Sequence, residues 1–265
     1  MPPQRIVCLC EEPTEILYYL GEQDRIVGIT AYTVRPPQAL HAKPVISHFL
    51  EADLDGIMAL APDFAIAFSD LQADLSAELI RRGLTVLTLN QRSVADILEA
   101  VRMVAAIVGR DADGRRYAAD LIKHVDVVRK KGATLPIRPR VYFEEWPKPT
   151  ITAIGWVAEL VEIAGGDYVF PELCSGVRAQ DRSLADPVEV LRRKPDLMLA
   201  SWCGAKFKPQ TVRKRPGWAE ADFVRADRLV EIPSEIILQP GPAALTDGLE
   251  ALHEAIAEVA LALKH

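Results

Sequence analysis

Four glutamates lie at positions where a carboxylate can take part in chemistry. Glu11 and Glu12 follow the apolar run that predicts the first strand, and Glu144 and Glu145 follow a later run of the same kind. Two carboxylates that face each other across a cleft can bind a cation or act as a general acid and base. Solvated residues at strand ends would give the same pattern. We take Glu11 and Glu12 as candidate ligand-binding residues.

Aromatic side chains recur at the predicted strand ends and in the loops that follow them. Only 6% of the 265 residues are aromatic, yet three of the four tryptophans lie at such positions. Aromatic walls with few charges suit a large, flat, partly apolar ligand, although some of these rings could simply fill the core. The candidate wall residues are Tyr32, Phe49, Phe68, Trp146, Trp156 and Trp202.

Signatures of catalysis and of metal binding are missing from the sequence. It has no Walker A motif, no GxGxxG after the first strand, no GxSxG and no HExxH. Cys8 and Cys10 alternate on a strand without further ligands, which is typical of small core residues. His48 and the basic stretch 206–215 could reach a bound metal centre or an anionic group, but a solvated loop explains them equally. We therefore predict no catalytic residue, no metal site and no catalytic cofactor.

The elements that position these residues alternate between strands and helices. Such alternation predicts mostly parallel sheets that are covered by helices. The longest predicted helix runs from Asp111 to Gly132, about 30 Å at roughly 1.5 Å per residue. The predicted strands cover residues 6–9, 26–29, 64–68, 86–89, 140–143 and 197–200.

A short helix, a Pro-Asp turn and a buried strand occur twice in the sequence. Residues 57–67 correspond in this way to residues 190–200. The duplication predicts an α/β fold of two Rossmann-like lobes, residues 1–110 and 134–265, joined by one long α-helix over residues 111–133. Ligands of open parallel sheets bind beyond the carboxyl ends of the strands, so a ligand cleft is expected between the lobes.

Composition and charge exclude several classes of protein. Hydrophobic residues make up 49% of the chain and charged residues 26%, which excludes disorder, while 19 prolines and 15 glycines exclude a coiled coil. A net charge of −6 argues against a nucleic-acid partner, and a monomer is expected. The first residues show no signal-peptide pattern, so a cytoplasmic location is expected. A periplasmic or cell-surface location is the alternative.

Short motifs occur in one order along nearly the whole chain. They are Arg5-Ile6-Val7-Cys8-Leu9, Pro13-Thr14-Glu15-Ile16-Leu17, Val27-Gly28-Ile29-Thr30 with Tyr32 and Pro36-Pro37, Glu145-Trp146, Gly155-Trp156-Val157, Ala164-Gly165-Gly166 and Pro216-Gly217-Trp218. This order resembles the cobalamin- and iron-chelate-binding proteins of ABC importers, and the second half is similar to their cobalamin-binding branch. The resemblance implies a corrinoid held between two lobes by aromatic walls. Tyr32 matches a family tyrosine, and Phe49 and Phe68 stand where that family often has tryptophan.

The resemblance also implies a partner. Importer-type members carry one acidic residue on each lobe that docks onto arginines of the membrane permease. Asp55 lies seven residues before the proline of the first Pro-Asp turn, whereas Val188 has the same place before the second, next to Glu189. An ABC permease would therefore be contacted through Asp55, with the second docking acid missing.

Three functions are compatible with these patterns. The leading hypothesis is non-enzymatic binding of a cobalamin-like corrinoid, by an importer-type substrate-binding protein or a cytoplasmic relative of one. The second is binding of a ferric siderophore, haem or another metal chelate, whose negative charge would require cations such as Arg178, Arg182 and Lys206. The third is an intracellular enzyme or regulator that uses the strand-end glutamates or the thiols.

Overall fold

Two compact units make up the chain, which the computed structural model describes over residues 1–48 and 51–264. The segments of the first unit are Met1–Gln91, Ala95–Leu121 and Gln239–Pro242, and those of the second are Arg92–Val94, Ile122–Leu238 and the chain from Ala243 onward. No helix among the described residues has the length and apolar character that a membrane span requires.

A mostly parallel sheet forms the centre of the first unit. Its strands are β1 (Ile6–Cys8), β2 (Ile26–Thr30), β3 (Val45–His48), β4 (Glu51–Ala52), β5 (Phe64–Phe68) and β6 (Thr85–Leu89). They lie in the order β4-β3-β2-β1-β5-β6, and only the β3–β4 pair is antiparallel. Because β1 lies between two parallel neighbours, the loops that follow β1, β2 and β5 leave the sheet at the same edge.

Helices pack against this sheet and complete its apolar core. The helices of the first half of the chain are α1 (Glu12–Tyr19), α2 (Ala39–Ala42), α3 (Leu54–Ala59), α4 (Ala73–Arg81), α5 (Val94–Ile107) and α6 (Asp111–Ala133). α6 belongs to the first unit up to Leu121 and to the second unit from Ile122. The side chain of Asp53 accepts the Gly56 N–H at 2.9 Å and so caps the start of α3. Val7 from the sheet, Ile57 from α3 and Leu79 from α4 meet in one buried cluster. Burial of these aliphatic side chains stabilises the packing of the two helices on the sheet.

A second sheet forms the centre of the second unit. Its strands are β7 (Arg140–Pro147), β8 (Thr150–Thr152), β9 (Asp167–Tyr168), β10 (Leu197–Ala200) and β11 (Leu229–Glu231). The order is β11-β10-β7-β8, with β9 also paired to β7. The β7–β8 pair is antiparallel and the other pairs are parallel. The carboxyl ends of β7, β10 and β11 therefore share one edge of the sheet.

Shorter helices surround the second sheet. They are α7 (Gly155–Ala164), α8 (Val188–Arg192), α9 (Pro209–Arg213), α10 (Asp222–Arg225), α11 (Ser234–Ile237) and α12 (Leu249–Ala262). The C-cap of α7 is Gly165, whose φ of 104° lies in the left-handed region that favours glycine. A Cβ atom at Gly132 of α6 would lie 2.8 Å from the Gly165 nitrogen, so the end of α6 approaches the backbone of this turn closely.

The two Pro-Asp turns share one set of hydrogen bonds. In the first unit, the Asp63 N–H donates to the Arg5 carbonyl at 2.9 Å, and the Asp63 carboxylate accepts the Arg5 N–H at 2.9 Å. In the second unit, Asp196 and Arg140 exchange the same two bonds at 2.8 Å each. Each aspartate thus ties its turn to the start of the unit's central strand.

The predicted α/β class with two mostly parallel sheets is confirmed, and the predicted long helix is α6. All six predicted strands are present, as β1, β2, β5, β6, β7 and β10. The analysis of the sequence missed the short strands β3, β4, β8, β9 and β11. The expected ligand cleft stays a prediction.

Candidate functional site

The end of β1 in the first unit carries a buried pair of carboxyl groups. Glu11 is the N-cap residue of α1 and Glu12 is its first residue, and the Glu12 side chain is only 2% exposed. Among the described residues, neither carboxyl oxygen of Glu12 has a hydrogen-bond partner. Buried polar groups are nearly always hydrogen-bonded in folded proteins, and this carboxyl group is an exception. Its charged form is costly there unless a ligand binds to it or a proton neutralises it.

Burial also changes the protonation of this pair. Loss of hydration raises the pKa of Glu11 to about 7. Loss of hydration, together with repulsion from Glu11, raises the pKa of Glu12 to about 8. At neutral pH the pair therefore holds at least one proton, and a carboxyl group that is protonated can donate a hydrogen bond as well as accept one.

A segment from the far end of the sequence covers Glu12. A Cβ atom at Gly241 would lie 2.9 Å from the Cβ and Cγ atoms of Glu12, so only a glycine fits over this side chain without displacement. The Gln91 side chain donates to the Pro240 carbonyl at 3.1 Å and holds the same segment. No local pattern in the sequence connects residues so far apart, and the sequence analysis missed this contact.

The thiols next to this pair are not nucleophiles. Burial raises the pKa of Cys8 to about 12 and the pKa of Cys10 well above its usual value. Both side chains are fully buried and protonated, and only the thiolate form is reactive. No group of three or more histidine, cysteine or acidic side chains that could hold a metal ion occurs within the described parts of the chain.

The aromatic candidates of the first unit differ in exposure. Tyr32 follows β2 and is 46% exposed, so its ring is available to a ligand. Phe68 ends β5 and is nearly buried, and its N–H donates to the side-chain oxygen of Gln72 at 2.8 Å. The Gln72 amide in turn donates to the Leu9 carbonyl at 2.9 Å, which joins the ends of β5 and β1. Phe49 lies outside the described residues.

The second pair of glutamates lies within a strand rather than after it. The antiparallel partner β8 extends β7 to Pro147, so Glu144, Glu145 and Trp146 are strand residues, contrary to the prediction. Trp146 is half-buried, and its indole N–H donates to the Lys148 carbonyl at 3.0 Å.

Arginines neutralise both of these glutamates. Arg215 binds the buried Glu144 carboxylate through two hydrogen bonds of 2.6 and 2.7 Å. Arg182 donates to Glu145 at 2.5 Å and to the Thr152 carbonyl at 2.6 Å. Arg182 and Arg215 are therefore each paired with a carboxylate of their own unit. The expectation that Arg182 or the stretch 206–215 binds an anionic group stays a prediction.

Trp202 lines a cavity at the carboxyl ends of β10 and β11. Its indole N–H donates to Glu144 at 3.1 Å, and its ring meets Phe207 edge-on with 5.0 Å between the ring centroids. The cavity has a volume of about 420 Å³, and its lining also includes Lys206 and Glu231. An aromatic wall beside donors and acceptors suits a flat ligand with polar substituents.

Trp156 has a different place. It lies in the first turn of α7 and is 1% exposed, and its indole N–H donates to the Ile237 carbonyl at 2.9 Å. Its ring fills the core of the second unit, so we leave it out of the proposed site. The sequence analysis named this alternative, that some of the aromatic rings simply fill the core, and the apolar neighbours of Trp156 agree with it.

Comparisons with known proteins agree on one family. A family model described as periplasmic binding protein matches residues 6–236. An uncharacterised ABC transporter substrate-binding lipoprotein, YvrC of Bacillus subtilis (strain 168), is 24% identical over 263 residues, which cover 96% of this chain and 80% of that protein. A vitamin B12-binding protein of Pectobacterium atrosepticum is 24% identical over 212 residues, or 77% of this chain and 74% of the relative.

A solved structure shows the same fold. The periplasmic heme-binding protein RhuT from Roseiflexus sp. RS-1, in its apo form, superposes with a TM-score of 0.81 at 24% identity. The superposition covers 96% of this chain and 99% of that one.

These matches contradict the expected cytoplasmic location. The matched family is one of periplasmic binding proteins, the Bacillus relative is a lipoprotein, and the Roseiflexus structure is of a periplasmic protein. The expectation relied on the first few residues alone, and the evidence from almost the whole chain outweighs it.

Proposed function

The chain belongs to the periplasmic binding protein family, and on this premise we propose that it binds a cobalamin-like corrinoid without converting it. It is a substrate-binding protein of the kind that serves ABC importers. The vitamin B12-binding relative, aligned over 77% of this chain, supports a corrinoid as the ligand class. The proposed contacts are Glu11, Glu12, Tyr32, Phe49 and Phe68 in the first half of the chain and Trp146 and Trp202 in the second.

The observation that favours a corrinoid over an anionic ligand is the pairing of arginines with carboxylates of the chain itself. Of the cations expected to meet an anionic ligand, Arg178 binds Asp181 and Arg182 binds Glu145, whereas Lys206 lines the Trp202 cavity. Arg215, in the same basic stretch as Lys206, binds Glu144. An anionic ligand such as haem or a ferric siderophore needs cations that are not already neutralised.

Glu11 and Glu12, which follow β1, add a pair of buried carboxyl groups that holds at least one proton at neutral pH. A pair that holds a proton can both donate hydrogen bonds to primary amides and accept hydrogen bonds from them, and such amides surround a corrin ring. The exposed Tyr32 ring and the indole of Trp202 supply apolar surface for the flat part of such a ligand.

Calorimetric titration with cyanocobalamin tests the ligand. We expect saturable binding, and a Tyr32→Ala variant weakened about fivefold, because an aromatic contact contributes about 1 kcal/mol. Tyr19→Ala is the matched control and should bind like the wild type. Tyr19 is also an exposed tyrosine of the first unit, but its ring stacks on that of Tyr117 with 3.5 Å between the ring centroids. Absence of binding at high micromolar cyanocobalamin, with tight binding of haem, would replace the corrinoid by an anionic chelate.

We further propose that Asp55 contacts the permease. Its side chain is 92% exposed on α3 and pairs with Arg82 at 2.6 Å, whereas Val188 has the corresponding place on α8. Glu189, the neighbour of Val188, is engaged by Arg192 and Arg193. Binding to the purified permease–ATPase complex should be lost in Asp55→Arg and strengthened in Val188→Asp. Glu99→Arg, an exposed charge reversal elsewhere on the first unit, should change nothing.

A further inference from the structure

The Glu144 carboxylate is the centre of a buried hydrogen-bond network in the second unit. It is fully buried and accepts the Tyr142 hydroxyl at 2.8 Å, the Trp202 indole N–H at 3.1 Å and the two Arg215 bonds already described. Burial and the neighbouring Glu144 charge raise the pKa of Tyr142 well above its usual value, so its hydroxyl stays a donor. Four donors aimed at two oxygens leave this carboxylate one orientation.

Arg215 is itself held from the other side. Its guanidinium carbon lies 4.6 Å from the centroid of the buried Trp218 ring, which packs edge-on against Tyr142 with 6.2 Å between centroids. A cation over an aromatic face is attracted by the ring, and a planar guanidinium stacks well there. The ion pair is therefore fixed at both ends by core residues.

Only one member of this network reaches the cavity. Trp202 lines it, while Tyr142, Glu144 and Trp218 are buried behind it. The indole has one polar atom, and that atom is bound to Glu144, which leaves the carbon face and edge of the ring to form the wall. Free rotation of the ring is thereby prevented before any ligand arrives.

We propose that Glu144 and Arg215 are positioning residues that hold the Trp202 indole as a preformed wall for a flat conjugated ligand. The proposal rests on the proposed function, since it assumes that this cavity receives the ligand. A side chain that is already immobilised loses no rotamer entropy on binding, which corresponds to about two- to tenfold in affinity. Arg215 has this structural task instead of binding an anionic group of the ligand.

Fluorine NMR of the protein labelled with 5-fluorotryptophan tests the positioning without any ligand. The Trp202→Phe variant assigns the resonance. In the wild type we expect one sharp Trp202 signal, and in Glu144→Gln and Arg215→Met we expect that signal to broaden or split. Glu145→Gln is the matched control on the same strand, because its carboxylate is bound by Arg182, and the Trp202 signal should stay sharp.

Titration with cyanocobalamin tests the consequence. Glu144→Gln should weaken binding about two- to tenfold, and Trp202→Phe, which keeps a ring but has no N–H, should weaken it similarly even if Glu144→Gln does not fold. A Trp202 signal that stays sharp in both network variants overturns the proposal, as does a disordered indole with unchanged affinity. If the wild type binds neither cyanocobalamin nor haem, the proposed function fails, and the NMR result still decides whether Glu144 positions Trp202.

Discussion

Each unit carries two adjacent glutamates in or just after its central strand, but their carboxyl groups have opposite surroundings: Glu11 and Glu12 follow β1, and Glu144 and Glu145 lie within β7. Glu11 and Glu12 of the first unit are buried, with no hydrogen bond to either oxygen of Glu12 among the described atoms. Glu144 and Glu145 of the second unit each have an arginine bound to them. A buried carboxyl group without a countercharge keeps its proton, whereas a buried carboxylate bound to arginine stays ionised.

The difference separates a pair of carboxylates that is fixed within its own unit from the pair that we propose as ligand contacts. The arginine-bound pair orders its surroundings. Glu144 accepts the Trp202 indole N–H, and Glu145 joins β7 to Arg182 in the segment before α8. The buried Glu12 carboxyl group, by contrast, has no hydrogen-bond partner among the described residues, and this costs stability. Such a cost is typical of positions that are kept for a ligand.

The largest expected effect is the pH dependence that Glu12 imposes on stability. Its pKa is about 8 in the folded protein and near 4.5 in the unfolded chain, so the folded state holds a proton that the unfolded state releases. Stability is therefore greatest below about pH 4.5 for this group and falls as pH rises towards 8, by up to about 1.4 kcal/mol per pH unit for one proton. Urea unfolding at pH 5, 7 and 9 should show a much shallower fall in Glu12→Gln.

The matched control for this measurement is Glu78→Gln in the same unit. Arg81 and Arg82 lower the pKa of this exposed carboxylate, so its contribution is lost only as pH falls. Its profile between pH 5 and 9 should follow the wild type. If Glu12→Gln also runs parallel to the wild type, the two pairs of glutamates do not differ in protonation.

The next effect concerns the second unit. Glu145→Ala leaves the buried Arg182 guanidinium without its carboxylate, and we expect a loss of about 3 kcal/mol in the free energy of unfolding. The loss stays at the lower end of the range for buried pairs because Arg182 keeps its bond to the Thr152 carbonyl. Glu189→Ala removes two solvent-exposed ion pairs, to Arg192 and Arg193, and should cost about 1 kcal/mol. Equal losses in these two variants would show that burial does not distinguish the pairs.

Much of the fold could be predicted from the sequence because it is encoded locally. Apolar runs, helical spacing and the repeated Pro-Asp turn identify β1, β5, β10 and α6 without any knowledge of contacts. The missed strands β4 and β9 have two residues each, and no periodicity exists over that length. β8 is only three residues long, and its antiparallel pairing moved Glu144 and Trp146 from a loop into a strand.

The candidate site could be predicted only in residue type. The strand-end glutamates and the aromatic residues were found, but their states depend on partners that are distant in sequence. Arg215 is 71 residues from Glu144, and the cover over Glu12 comes from Gly241. Neither pairing leaves a local signal, so an unpaired carboxyl and a neutralised one are indistinguishable in the sequence.

The smallest expected effect is the difference in stability between the two Pro-Asp turns. It tests whether Asp63 and Asp196 contribute unequally, as the two pairs of glutamates do. Asp63 accepts two backbone N–H groups, those of Gln4 at 2.8 Å and Arg5 at 2.9 Å, whereas Asp196 accepts the Arg140 N–H alone among the bonds seen at that turn in the described residues. At about 1 kcal/mol per bond, Asp63→Ala should cost about 2 kcal/mol and Asp196→Ala about 1 kcal/mol.

Asparagine variants sharpen this last comparison. An amide has one acceptor oxygen, so Asp63→Asn should lose one of its two bonds and about half of the alanine effect, while Asp196→Asn should keep its single bond and cost almost nothing. Chemical unfolding of the four variants at neutral pH measures these differences. Equal losses for Asp63→Asn and Asp196→Asn would mean that the extra bond to Gln4 contributes nothing, and that the two turns are equivalent in energy as well as in form.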